Sequence, residues 1–155
     1  MTRLPPRLVP DGPDADAAPA AQGVMVRAYG ETISLLDHIA GLELDGIVGL
    51  ESLFAEAIDR RESLMLPGFG APGLPPTEVA RLDDEIRRRI DLLVARGRHD
   101  GTVDKTLRGV EVVVCLSLLV QGLPEYDDYD AAAQALALRF VESIAIGARS
   151  RLSAF

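Results

Sequence analysis

Residues 110–120 read VEVVVCLSLLV, and the fold class of this 155-residue chain turns on whether they form a strand or a helix. The valines favour a strand. The length of the run, which extends over about Leu107 to Gln121, favours a helix. A strand also needs a partner strand, and no other part of the chain offers one. We therefore expect a helix that is apolar nearly all round, and such a helix has to be covered on every side.

The segments on either side carry a helical period. Upstream, "PPTEVARLDDEIRRRIDLLVARGRHDG" places Pro76 in a first turn and Glu78 at the positive end of the helix dipole. Its apolar stripe is Val79, Leu82, Ile86, Ile90, Leu93 and Val94, and Gly101 is a natural stop. Before it, Asp45 can cap a helix with the stripe Ile47, Leu50, Phe54, Ala57 and Ile58, halted by Pro67. A first helix carries Val26, Tyr29, Ile33, Leu36 and Ile39. Downstream, after Gly122 and Pro124, a fifth helix runs from Ala131 to about Ser150. It has one stripe of Leu136, Phe140 and Ile144 and a small-residue face of Ala137, Val141, Ala145 and Ala148. The expected fold is an all-α bundle of about five helices.

Half of the ten prolines fall within the first nineteen residues, where no apolar period exists. Residues 1–23 read as a disordered Pro/Ala-rich tail and 24–155 as one folded domain. Sixteen basic and twenty-four acidic side chains leave a formal charge of −8. Duplex DNA binding draws on a basic face, whereas Arg81, Arg87, Arg88 and Arg89 alternate with Asp83, Asp84 and Glu85 on one polar helix face and read as a salt-bridged surface. The single cysteine, Cys115, fits a reducing compartment. The N-terminus lacks the apolar run of a signal peptide, and the longest apolar stretch is too short to span a bilayer. A cytoplasmic location without membrane contact follows.

The stretch "LPGFGAPGLPP" contains Gly68-x-Gly70-x-x-Gly73, the pattern of a dinucleotide-binding loop. That chemistry needs a strand before the glycines and a helix opening at them. Here a helix precedes, and Pro72 removes one of the required N–H donors, so we expect only a chain reversal. His38 and His99 have no partner at metal-ligand spacing, and "EYDDYD" lacks the glycine and the terminal glutamate of a calcium loop. No nucleophile–base pair is present, so neither an enzyme nor a metal or other cofactor is expected.

Ser117 and Gln121, one turn apart on the apolar fourth helix, admit two readings. In one, Ser117 bonds the carbonyl four residues back and Gln121 lies near a solvated helix end. In the other, both join Phe54, Ile58, Met65 and Ile90 around a mostly apolar small-molecule pocket.

The joined segments "IDLLVARGRHDGTV" and "VEVVVCLSLLVQGLP" form a long amphipathic helix ending in a Gly-x-Val turn, then a very apolar helix, a break and a last apolar helix. With "GLELDGIVGLESLFAEAIDRRESLML" before them, they resemble the C-terminal regulatory domain of TetR-family transcriptional regulators over roughly Tyr29 to Ala148. Gly101 and Val103 match the family's turn, while Asp104, Lys105 and Thr106 stand where it usually has Arg-Pro-Asp. The resemblance implies an effector-sensing and dimerisation domain for a small apolar ligand. It also implies a homodimer formed by the last two helices, for which we expect Val113, Leu116, Val120, Ala137, Phe140, Val141, Ile144 and Ala145. Family members begin with a helix-turn-helix unit of about fifty residues. The residues before the first helix do not supply one, so DNA contact is expected only through such a unit outside this chain. The alternative is a helical homo- or heterodimerisation module without a ligand.

Overall fold

The 3.6-residue apolar periods produce five α-helices and, among the described residues, no strand. The computed structural model describes residues 17–122 and 126–147. The helices are α1 (Ala17–Gly41), α2 (Gly46–Asp59), α3 (Pro76–Asp100), α4 (Gly109–Gln121) and α5 (Tyr129–Ile144), with a 3-10 turn at Arg61–Ser63. VEVVVCLSLLV is thus helical. The first helix starts at Ala17 rather than near Val24. Alanine-rich sequence propagates a helix well, and Pro19 falls in the first turn, where proline costs no hydrogen bond. Residues 1–16 of the expected tail, and Ala148 to Ser150 of the expected last helix, lie outside the described residues.

The stripes face one core. Tyr29, Leu36 and Ile39 of α1 meet Leu50, Phe54, Ala57 and Ile58 of α2 and Leu82, Ile86, Ile90, Leu93 and Val94 of α3, all buried. Thr32 is a polar side chain buried among them. Its hydroxyl accepts from the Met65 N–H at 3.0 Å and lies 2.8 Å from the Met65 carbonyl, which fixes the segment after the 3-10 turn against α1. On the outer face of α3 the arginines are paired as expected: Arg81 with Glu78, Arg87 with Asp84, Arg88 with Glu85, and Arg89 with both Glu85 and Asp37. Gly68, Gly70 and Gly73 have φ of +91°, +76° and +91°. These three left-handed positions reverse the chain between α2 and α3, a conformation glycine adopts without steric cost.

The cap of α2 differs from expectation. Asp45 occupies the N-cap position but its side chain makes no capping hydrogen bond. Instead the turn after α3 reaches across. Asp100 Oδ2 accepts from the Gly46 N–H at 2.7 Å, and Thr102 Oγ1 accepts from the Ile47 N–H at 3.1 Å while donating to Asp100 Oδ1 at 2.6 Å. The crossing is close because Gly46 meets Gly97 backbone to backbone: a Cβ on Gly46 would overlap the Gly97 backbone, and a Cβ on Gly97 would overlap the Val103 side chain of the same turn. The same turn is tied to the end of α5: Val103 and Ala145 form an isolated antiparallel bridge, with Asp104 N–H donating to the Ile144 carbonyl at 2.8 Å.

Burial pushes the Asp100 carboxyl up, but hydrogen bonds from Thr102 and from the Gly46 and Thr102 amides outweigh it and hold the carboxyl below its usual range. A carboxyl depressed in the folded state stabilises the fold above its unfolded pKa of roughly 3.9 and loses that contribution as pH falls toward the depressed value. Donors meet both Asp100 oxygens, and an asparagine would turn its NH2 toward one of them. Asp100→Asn should therefore cost about 1 kcal/mol near neutrality, the scale of one lost hydrogen bond. In urea unfolding, the gap between wild type and variant should narrow below about pH 4. A gap that stays constant with pH would mean that the Asp100 charge contributes nothing.

Candidate functional site

Position on α4 is decided by which side chains the other helices reach. Val112, Val113, Leu116, Leu119 and Val120 are buried against the bundle. The opposite face carries Val110 at 53%, Val114 at 53% and Leu118 at 64% exposure, spaced i, i+4, i+8 so that they form one row. The C-terminal end of α4 is held by α5. The Tyr129 hydroxyl donates to the Leu119 carbonyl at 2.8 Å, and Arg61 lies over the Tyr129 ring, 5.3 Å from its centroid, while pairing with Asp130 at 2.7 Å.

The residues expected to face a partner are mostly turned inward. Val113, Leu116, Val120, Ala137, Val141 and Ile144 are buried in the chain's own core. Phe140 is half-buried, its ring 5.4 Å from that of Phe54, and half-buried Ala145 forms the bridge to Val103. The small-residue face of α5 does permit close helix contact, but α5 packs it against α2. Of these two helices, α4 leaves the larger apolar surface exposed, on its outer row, and Leu92 of α3 is exposed to the same degree as Leu118. A small α5 contribution comes from Leu136 and Leu138, which are also exposed.

The expected pocket residues also separate. Phe54, Ile58, Met65 and Ile90 are buried within the packed core. Ser117 and Gln121 remain together and line a surface cleft of about 340 Å³. Its other walls come from Val110, Val114 and Leu118, from Pro67 to Phe69 of the loop, and from Arg87 of α3. The Ser117 hydroxyl donates to the Pro67 carbonyl across the cleft floor at 3.3 Å rather than to the carbonyl four residues back. Arg87 and Phe69 could not be joined to this site from spacing alone, because the turn between α3 and α4 separates Arg87 from Ser117, and the whole of α3 as well separates Phe69 from it.

Two titratable groups are shifted by burial. Burial, and then the hydrogen bond to Asp83, push the Tyr29 phenol well above its usual value. Burial pushes the Cys115 thiol up, away from the reactive thiolate. Among the described residues no group of three His, Cys, Asp or Glu side chains could hold a metal ion, and no helix is long and apolar enough to cross a membrane. No protein-family model, curated protein or solved structure matches the chain.

Proposed function

We propose that the chain is the regulatory part of a TetR-like transcriptional regulator, an all-α domain that pairs with a second copy and responds to a small, largely apolar effector, without chemistry of its own. The order of helices supports the reading, as does the turn at Gly101 and Val103 that delivers the chain into α4. The observation that carries it is the outer row of α4: three large apolar side chains, each more than half exposed, in line on a helix whose opposite face is buried. A contiguous apolar row of this kind marks an interaction surface, and a two-fold axis lets one row cover its own copy. With a net charge of −8, the reading assigns no DNA contact to the described residues.

Sedimentation at micromolar concentration should find a dimer for the wild type and a folded monomer for Leu118→Arg, since Leu118 lies on the surface and the substitution leaves the core intact. A folded, monomeric wild type under those conditions would remove the pairing. For the effector, the chain can be joined to a helix-turn-helix unit that occupies a palindromic operator only as a dimer. The fusion should repress, and a small apolar compound should relieve repression. Repression that no compound relieves supports the second reading, a pairing module without a ligand. The close burial of Phe54, Ile58, Met65 and Ile90 in the core favours that second reading.

A further inference from the structure

We infer that the cleft beside α4 binds an amphipathic monocarboxylate, with its carboxylate on Arg87 and its apolar body along Val114 and Leu118, and that this ligand competes with the second copy for the outer row. The inference rests on the regulatory reading above and names the ligand class for it. The cleft's volume of about 340 Å³ falls at the small end of the range for small-molecule sites, and its walls combine apolar side chains with a few polar groups, as such sites do.

The polar groups select the ligand's charge. Arg87 is the cation that lines the cleft. Its pairing with Asp84 is long, 3.4 Å, with both side chains more than half exposed, so little is lost when the guanidinium turns to another acceptor. The neighbouring Arg81 and Arg89 hold closer carboxylates at 2.7 and 2.8 Å. A guanidinium binds a carboxylate through two parallel N–H bonds. Ser117, whose bond to Pro67 is long, and the Gln121 amide supply further rotatable donors. An alcohol of the same length could fill the apolar wall but would forgo the charged contact.

Because Val114 and Leu118 belong both to the cleft and to the row assigned to a second copy, the two equilibria are coupled. Whatever factor the ligand takes from self-association, self-association takes from the ligand.

The test titrates decanoate and decanol into the full chain by calorimetry at a concentration where it is monomeric, with Arg87→Gln and the control Arg88→Gln. Decanoate should bind saturably and more tightly than decanol. Arg87→Gln should weaken decanoate about tenfold or more, the scale of one charge-assisted hydrogen bond, and leave decanol unchanged, while Arg88→Gln should bind decanoate as the wild type does. At higher protein concentration, saturating decanoate should shift sedimentation from dimer toward monomer. Binding that is absent, equal for acid and alcohol, or insensitive to Arg87→Gln overturns the site; a dimer fraction unmoved by decanoate overturns the competition. An Arg87-dependent site in a fusion that never represses leaves this site standing and removes the regulatory reading, whereas repression relieved by compounds that do not need Arg87 does the reverse.

Discussion

Replacing Gly46 with alanine should destabilise the chain by about 2–3 kcal/mol, the upper part of the range for overpacking a close contact. Local propensity points the other way: alanine in place of a helical glycine gains up to about 1 kcal/mol. Packing decides the sign, because a methyl on Gly46 would overlap the Gly97 backbone, and a backbone cannot rotate aside as a side chain can. Any shift that relieves the overlap also stretches the Asp100 and Thr102 hydrogen bonds to Gly46 and Ile47. For a chain of this length the melting temperature should fall on the order of 5–10 °C. Gly30→Ala is the internal comparison. Gly30 lies within α1 with nothing near its missing Cβ, so the same substitution there should stabilise by about 0.5–1 kcal/mol. Thermal unfolding of the pair should give shifts of opposite sign. A Gly46→Ala variant as stable as the wild type would show that the α2–α3 crossing is looser than described.

Phe54→Ala should cost about 3–5 kcal/mol, the loss of a fully buried aromatic side chain together with the cavity it leaves. Phe54 is 1% exposed and its ring meets that of Phe140 in a tilted pair. In urea unfolding the midpoint should fall with little change in slope. The size of the loss also separates two functions. A side chain bordering an internal ligand cavity has fewer neighbours to lose, so its truncation costs less. A cost below about 1 kcal/mol would place a cavity beside Phe54 and return the effector to the interior of the bundle. The larger cost leaves no cavity beside Phe54 for a ligand to fill.

The helices were legible wherever one face of a helix is apolar and the other is not. The stripes through Leu36 and Ile39, through Leu50, Phe54 and Ile58, and through Ile86, Ile90 and Val94 all lie in the core. Legibility failed on α4 for the same reason that made it recognisable. A helix with valines and leucines on every side carries no signal of which side faces inward. Its polar side chains are Glu111, Ser117 and Gln121, and the last two lie beside Val114 and Leu118 in the cleft wall. On α5 the small residues did signal close approach, but spacing within one helix does not say whether the neighbour is α2 or a second copy. Asp45 illustrates a further limit. Its position before α2 suits a cap, yet the acceptors come from Asp100 and Thr102, more than fifty residues later. Tertiary proximity supplied what local sequence seemed to supply.

That distant cap changes what the start of α2 reports about motion. The first N–H groups of a helix ordinarily have no partner inside it, exchange readily with solvent and fray independently of the rest of the molecule. Here the amides of Gly46 and Ile47 are held by the turn that follows α3, and the next residues of that turn are bonded to the end of α5. Hydrogen exchange at these two amides therefore follows the opening of the α3–α4 turn rather than the breathing of one helix end. Two adjacent backbone protons thus serve as a gauge of whether the elements bracketing α4 are docked.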